Sequence, residues 1–319
     1  MSLPRVLITN TVPDVILEPL HGLADVILGP DGGFTTPRRE VLDLAPELVG
    51  IINQGELTID VELLDHAPKL KIVANVAAGY NNLNTDLMAA RGVWATNTPD
   101  AFYEATADAT LAMILAVARF LVKGDRYVRA GQWQKTEFGV WDGMLLRGKT
   151  LGIVGYGRTG QAVATRARAF GMQVLYHRRQ VSTDPAYRSL NALLAESDFV
   201  SLHIPLVPET HHLIDAARLA QMKPGAYLIN MARGPVVDEQ ALVDALQSGH
   251  LAGAALDVFE NEPQVHPDLI PLDNVVLAPH IGGGTRESRQ MARLLCAQNV
   301  AAVLRGKRPL TPVNEPARR

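Results

Sequence analysis

Leu151-Gly-Ile-Val-Gly155-Tyr-Gly157-Arg-Thr-Gly160 opens a segment that closes on Met172-Gln-Val-Leu-Tyr-His177-Arg178-Arg179, and its two ends decide the fold. A strand-like apolar run, residues 151–154, leads directly into three glycines spaced G-x-G-x-x-G. A helix-like run follows over residues 161–170, and Gly171 suits the left-handed position that ends helices. A second strand-like run then ends at Tyr176. Strand, glycine turn, helix and strand in that order are the full context of a dinucleotide fingerprint, which three glycines alone are not. Each glycine has a task. Gly155 permits the tight turn, Gly157 lets a pyrophosphate approach the backbone, and Gly160 lets the helix pack close to the strand. The helix start, with Arg158 and Thr159, presents unpaired N–H groups to the phosphates.

The residues after the second strand bear on which dinucleotide binds. An Asp or Glu there holds the ribose 2′-hydroxyl of NAD(H). This chain has His177, then Arg178 and Arg179. A carboxylate would repel a 2′-phosphate, whereas a guanidinium pairs with it, and each such contact is worth about 1.5–3 kcal/mol. The reading is NADP(H) preferred, with NAD(H) possible. The competing reading is that the two arginines are solvated loop charges.

Working outward, short apolar runs alternate with helix-like segments throughout, the pattern of α/β architecture with parallel sheets. One series of strands covers residues 5–9, 49–52, 71–76 and 93–96. A second series of six covers 151–154, 174–176, 199–203, 227–230, 254–258 and 275–278. A long helical stretch, residues 101–128, lies between the series. A last helix over 286–304 follows, with Thr285 as its N-cap. This order predicts two domains with crossings near residues 98 and 285 and a cleft between them. The segment from Gly306 onward, rich in Pro, Arg and Lys, reads as poorly ordered.

Composition narrows the class. The 319 residues are 47% apolar and 20% charged with a net charge of −3, a globular balance with no electrostatic footprint for nucleic acid. The one cysteine, Cys296, reads as a packed thiol in a helix. The N-terminal apolar run is too short for a signal peptide, and the longest apolar stretch, 111–118, is cut by Arg119. These features point to a cytoplasmic protein with no membrane partner.

Candidate chemistry gathers at strand ends, where open α/β sheets bind ligands. His280 follows the sixth strand in Ala-Pro-His-Ile-Gly, and His203 ends the third and competes on the same grounds. Arg233 lies past the fourth strand, and Asp257, Glu260 and Glu262 cluster after the fifth. Three acids in six residues are often only a solvated turn; a carboxylate beside a histidine, however, favours the imidazolium, the form a proton donor needs. His211 and His212 are adjacent, which is not a helical metal pair, and no metal site is read.

Together these segments resemble the D-2-hydroxyacid dehydrogenase family, and within it the glyoxylate/hydroxypyruvate reductase branch. The resemblance rests on Asn75-Val-Ala-Ala-Gly-Tyr-Asn-Asn-Leu-Asn, the glycine fingerprint, His203-Ile-Pro-Leu with Pro208 and Thr210, Met222-Lys-Pro-Gly-Ala-Tyr-Leu-Ile-Asn-Met-Ala-Arg-Gly, Asp257-Val-Phe-Glu-Asn-Glu-Pro and Pro279-His-Ile-Gly. It implies a Rossmann-type dinucleotide-binding domain, residues 99–284, inserted into a flavodoxin-like substrate domain, residues 1–98 and 285–319. It implies reduction of a small 2-oxo acid to the D-2-hydroxy acid. Arg233 would bind the substrate carboxylate and keto oxygen, His280 would be the acid/base, and Glu262 its partner. Asp257 would hold the nicotinamide carboxamide, and Arg158, His203, Pro205 and Thr210 would line the cofactor. The backbone of Ala77, Ala78 and Gly79 would bind the substrate carboxylate. The resemblance, with the apolar helix around 111–121, implies a homodimer, and Trp141 either reaches the neighbouring subunit's site or anchors its own chain. Two departures stand out. His177 replaces the acid used for NAD, and Met231 replaces a more usual Thr, which reads as a packing variation. A 2-ketogluconate or other 2-keto acid reductase, formate or phosphite oxidation, and a dinucleotide-sensing corepressor are the alternatives, with Glu262 arguing against formate.

Overall fold

Short aliphatic runs become parallel strands here because helices cover both faces of each sheet, which leaves no polar face to alternate. The computed structural model describes residues 2–316. It divides into a discontinuous unit, the residues up to 102 with those from 285 onward, and a continuous unit, residues 103–284.

In the discontinuous unit, β1 (Arg5–Ile8), β2 (Asp25–Leu28), β3 (Leu48–Asn53), β4 (Ile72–Asn75) and β5 (Trp94–Thr96) form a parallel sheet in the order β2-β1-β3-β4-β5. That is the flavodoxin-like order. Helices α1 (Arg38–Leu44), α2 (Val61–His66) and α3 (Thr85–Ala90) lie along the chain between the strands. Val6, Ile8, Ile72 and Ala74 pack with Cys296, Ala297 and Val300, while Leu7, Ile51 and Val73 pack with Leu63 and Met88. The long later helix has the bounds expected, residues 286–304, and Thr285 Oγ1 accepts from Ser288 N–H at 3.1 Å. Cys296 is fully buried, and burial pushes its thiol up.

Three expectations for this unit need correction. The sequence reading has no strand at β2, a four-residue edge strand with both ends exposed and Val26 and Ile27 half-buried. The unit ends at residue 102 rather than 98, since Ala101 and Phe102 pack into its core. Residues 306–316 are pinned, not loose. Asn299 Oδ1 accepts from Leu310 N–H (2.7 Å) and Thr311 N–H (3.1 Å), and Thr311 Oγ1 donates to Asn97 O at 2.6 Å. Asn314 accepts from Ala95 N–H at 2.8 Å and donates to Val93 O at 3.0 Å. Side-chain amides thus satisfy the backbone of edge strand β5, which charge and proline content gave no hint of. The part of that segment at 317–319 lies outside the described residues.

In the continuous unit, β6 (Thr150–Val154), β7 (Gln173–His177), β8 (Phe199–Leu202), β9 (Ala226–Asn230), β10 (Leu251–Leu256) and β11 (Val275–Leu277) pair in parallel as β11-β10-β9-β8-β6-β7. Tyr187 adds a one-residue parallel bridge outside β7, at Tyr176, where the full Rossmann order has a further strand. The expected single helix over 101–128 is two, α4 (Tyr103–Ala118) and α5 (Leu121–Arg129), bent by 63°. Phe120 adopts a left-handed φ of 53° at the break, and Met144 N–H caps Ala118 O at 2.8 Å. Helices α6 (Arg158–Ala169), α7 (Leu190–Glu196), α8 (Ala216–Gln221) and α9 (Glu239–Gln247) follow, and α10 (Arg286–Leu304) belongs to the discontinuous unit. Among the described residues no single helix is long and apolar enough to cross a membrane.

Candidate active site

In the continuous unit the strand order reverses between β6 and β8, and Gly155 and His203 sit at those two carboxyl ends. Gly155 has a φ of 98°, and a Cβ there would lie 2.5 Å from His203 O. A Cβ at Gly160 would lie 2.1 Å from Gly155 O, so only glycine lets α6 close on the turn. At Gly157 a Cβ would meet nothing within 4 Å. Gly157 is also the N-cap of α6, and no side chain caps it. An open space over an uncapped helix start fits a pyrophosphate.

At the end of β7, His177 Nδ1 donates to Arg188 O at 3.0 Å. Arg178 and Arg179 are exposed, and Arg178 Nε donates to Gln180 O at 3.2 Å. His203 Nε2 lies 2.8 Å from Ser201 Oγ, while its Nδ1 is enclosed without a partner among the described residues. Burial pushes this imidazole down to about 4, which keeps it neutral. Thr210 Oγ1 donates to Pro205 O at 2.7 Å and so brings those two residues into one turn.

His280 follows β11 with a left-handed φ of 51°. Asp257 forms the mould for that turn. Its O accepts from His280 N–H at 2.9 Å, and its carboxylate accepts from Ile281 and Gly282 N–H at 2.7 Å each. Burial raises the Asp257 carboxyl, and those two peptide donors oppose the rise. Glu262 reaches across the turn. One oxygen lies 2.8 Å from His280 Nδ1 and the other accepts from Phe259 N–H at 3.1 Å. Burial pushes the Glu262 carboxyl up, but the hydrogen bond and charge of His280, with the Phe259 N–H and the Arg233 charge, together hold the carboxyl below its ordinary value. With Nδ1 committed to Glu262, Nε2 of His280 is the nitrogen left to exchange a proton.

Arg233 follows β9. Asn230 shapes its loop by accepting from Ala232 N–H and donating to Arg233 O, both at 3.0 Å. A Cβ at Gly234 would lie 1.8 Å from Phe259 C, so glycine lets this loop press against the one that carries Glu262. Burial lowers the pKa of the Arg233 guanidinium, and the charge of Glu262 raises it. A cation, an imidazole and a carboxylate at the carboxyl ends of one sheet can bind an anion and move a proton. Met231 is buried, as a packing variation would be.

The sequence reading missed a bracket behind this site. Glu260 Oε1 accepts from Glu239 N–H at 2.8 Å, and Glu239 Oε1 accepts from Glu260 N–H at 2.9 Å. The partners are 21 positions apart, and no local pattern announces them.

In the discontinuous unit, residues 77–79 follow β4. Their three carbonyls are all engaged: Ala77 O by Thr98 N–H (2.9 Å), Ala78 O by Asn97 Nδ2 (2.7 Å) and Gly79 O by Asn75 Nδ2 (3.2 Å). In a trans peptide the N–H points opposite to the carbonyl, so the N–H groups of Ala78, Gly79 and Tyr80 face away from those donors. A buried amide cluster sets this loop. Asn53 donates to Asn75 Oδ1 at 3.0 Å and to Leu57 O at 2.9 Å, and Asn75 donates to Asn82 Oδ1 at 2.9 Å. Its only trace in the sequence is the density of asparagines around 75–84.

Trp141 is half-buried, packs tilted at 59° against Tyr127 with ring centroids 5.1 Å apart and donates to Glu137 at 3.2 Å, with Phe138 and Val140 exposed beside it. Among the described residues no group of three His, Cys, Asp or Glu side chains could hold a metal ion.

Comparison with known proteins gives consistent results. A sequence profile described as D-isomer specific 2-hydroxyacid dehydrogenase, NAD binding domain, matches residues 111–282. A glyoxylate reductase from Pyrococcus horikoshii is 45% identical over 98% of this chain and 96% of its own length. A crystal structure of a Thermus thermophilus protein is 44% identical and superposes with a TM-score of 0.91, covering 97% of this chain and 99% of that one. An NADPH-dependent glyoxylate/hydroxypyruvate reductase from Sinorhizobium meliloti, solved with NADP and malonate, is 35% identical with a TM-score of 0.85, covering 100% of this chain and 99% of that one.

Proposed function

The chain belongs to the D-isomer specific 2-hydroxyacid dehydrogenase family and is an NAD(P)-dependent oxidoreductase that reduces a 2-oxo acid to a hydroxy acid, and from that premise we propose the finer reading: NADPH-dependent reduction of glyoxylate and hydroxypyruvate to the D-2-hydroxy acid. The observation that carries it is the 2.8 Å contact of His280 with Glu262 at the same sheet edge as Arg233. A bound nicotinamide supplies the hydride. Arg233 binds the substrate carboxylate and polarises the keto oxygen, whose developing charge it stabilises. His280 Nε2 delivers the proton to that oxygen, and Glu262 holds the ring in place through Nδ1. The N–H groups beyond Ala77, Ala78 and Gly79 bind the carboxylate. Gly155, Gly157, Arg158, Thr159 and Gly160 hold the pyrophosphate, and Asp257, His203, Pro205 and Thr210 line the rest of the cofactor. Arg178, Arg179 and His177 meet the 2′-phosphate, a reading supported by the absence of any carboxylate at these three positions and by the NADPH-dependent Sinorhizobium relative. The working form is a cytoplasmic homodimer; the apolar helix around 111–121 does not supply its interface, because Leu111, Ile114 and Val117 pack into the unit's own core, and the exposed apolar residues lie around Trp141 instead.

Initial rates with NADPH and NADH against glyoxylate, hydroxypyruvate, pyruvate and 2-ketogluconate test this reading. Faster oxidation of NADPH is expected, with glyoxylate or hydroxypyruvate as the better substrates. Replacing Arg178 and Arg179 by Ala lowers the NADPH-to-NADH ratio of kcat/KM by about tenfold or more. Equal losses with both cofactors would refute the 2′-phosphate assignment.

A further inference from the structure

Arg233 and Glu262 stand on two different loops of the continuous unit, one after β9 and one after β10. Residues 233–238 lead from Arg233 into α9, and Glu239 is the first residue of that helix. A Cβ at Gly234 would lie 1.8 Å from Phe259 C and 2.4 Å from Glu260 N, so the two loops meet backbone to backbone. Across that contact two glutamates exchange hydrogen bonds. Glu260 Oε1 accepts from Glu239 N–H at 2.8 Å, and Glu239 Oε1 accepts from Glu260 N–H at 2.9 Å. The first N–H of a helix has no partner within the helix and lies at the positive end of its dipole, which suits a carboxylate arriving from another loop.

The bracket bears directly on Glu262. Phe259 N–H donates to Glu262 at 3.1 Å, and the next peptide, Glu260 N–H, donates to Glu239. The peptide that aims Glu262 is thus adjacent to the one that Glu239 holds, and Glu262 in turn lies 2.8 Å from His280 Nδ1. His212 touches both loops from behind: its N–H donates to Pro235 O at 2.7 Å, and its Nε2 lies 3.3 Å from Glu260 Oε2. It does so from a left-handed φ of 47°, which a non-glycine residue keeps only where its surroundings over-determine it. Stability alone is a poor reason for this joint. Burial raises the Glu239 carboxyl, the Glu260 N–H opposes the rise, and the Glu260 charge adds to it. Two facing carboxylates give up stability that a neutral joint would keep, which is the habit of functional sites.

We propose that Glu260 is a positioning residue for the reaction, with Glu239 as its counterpart: their bracket fixes the Arg233 loop against the Glu262 loop, so that the guanidinium and the imidazole held by Glu262 act on one substrate oxygen together. The assignment rests on the roles of Arg233, Glu262 and His280 proposed above. Both glutamates act through backbone N–H groups rather than on the reacting atoms.

The test is kcat per cofactor site, measured with the better of glyoxylate and hydroxypyruvate and with whichever of NADPH and NADH the native chain oxidises faster. Sites are counted by cofactor titration of the same sample, because misfolded chain lowers sites and rate together and leaves the rate per site as it was. Glu260→Ala opens the bracket, and kcat per site falls about 10- to 100-fold while the cofactor dissociation constant stays within about twofold of native. Glu239→Ala opens it from the other side, with a loss of the same order. Glu260→Gln keeps the accepting oxygen and restores most of the native rate. Where Glu260→Ala yields no cofactor sites, Glu260→Asp, shorter by one methylene, takes its place and lowers the rate per site in the same direction. A rate per site within about twofold of native in the variant that opens the bracket, or an equal loss in Glu260→Gln, overturns the assignment and leaves the reduction intact. No turnover of either substrate by the native chain overturns the reduction, and the assignment with it.

Discussion

In the continuous unit the groups at the strand ends are charged side chains and glycines; in the discontinuous unit they are peptide N–H groups aimed by asparagines. Arg233, His280 and Glu262 each bring their own chemistry, and their loops hold them by contacts such as Asp257 to Ile281 and Gly282. The residues at 77–79 bring only backbone, and its direction is set by Asn75, Asn97 and Thr98. On the proposed reading the two sheets follow one rule, with ligand groups at carboxyl ends, yet they are expected to respond to substitution differently. A side chain can be deleted and its chemistry goes with it. A peptide donor cannot be deleted, so its function fails only when the residues that aim it are loosened, and stability falls at the same time.

The largest effect expected is His280→Ala. Its kcat falls about 10²- to 10⁴-fold while NADPH affinity, followed by cofactor fluorescence, stays near native. A near-normal kcat would remove His280 from the chemistry and with it the first half of the contrast. Asn75→Ala comes next. Its amide serves Gly79 O, Asn82 and Asn53, so its loss leaves buried partners unpaired and costs about 1–3 kcal/mol in denaturant unfolding. KM should rise more than kcat falls. A loss confined to kcat would erase the distinction between the two units.

The smallest effect sharpens the contrast from inside the continuous unit, where His203 is a side chain with a structural burden. Its folded value of about 4 lies below the ordinary 6.5, so the unfolded chain binds the proton in that window and the native chain does not. Stability is complete above about pH 6.5 and is lost as pH falls toward 4. His203→Asn removes this dependence and should narrow the difference in unfolding free energy between pH 7 and pH 5 by roughly 1–2 kcal/mol. An unaltered difference would mean that the imidazole is not held neutral. Glu262 acts lower on the scale. Its carboxyl is held below the ordinary range, so its contribution is lost only as pH falls through that lowered value.

The legible parts of the molecule are those whose signal is local. The G-x-G-x-x-G turn, the six strands of the continuous unit and the Thr285 cap of α10 are each written within a few consecutive residues. What escaped is written across distance. Glu239 and Glu260 find each other through tertiary folding, as do Asn53, Asn75 and Asn82. Edge strand β2 offers only three apolar residues, Val26, Ile27 and Leu28, none of them fully buried, and the break at Phe120 depends on Met144 capping Ala118 from another segment. Residues 306–316 have the composition of a loose segment, yet Asn299 and Asn314 give them hydrogen bonds that composition cannot encode.

The pairing of Ala95 with Asn314 joins positions 219 apart in sequence. During synthesis, everything the continuous unit needs for its sheet has emerged before α10 is made. The strands of the discontinuous unit emerge first, but one face of their core waits for Cys296, Ala297 and Val300. Closing so long a loop adds only slowly to the entropy cost, so the penalty falls on speed more than on final stability. The order of completion is therefore the reverse of the order of translation: the cofactor-binding half can be finished while the half begun earlier still exposes an apolar sheet face. That exposed interval is when the nascent chain is most open to aggregation.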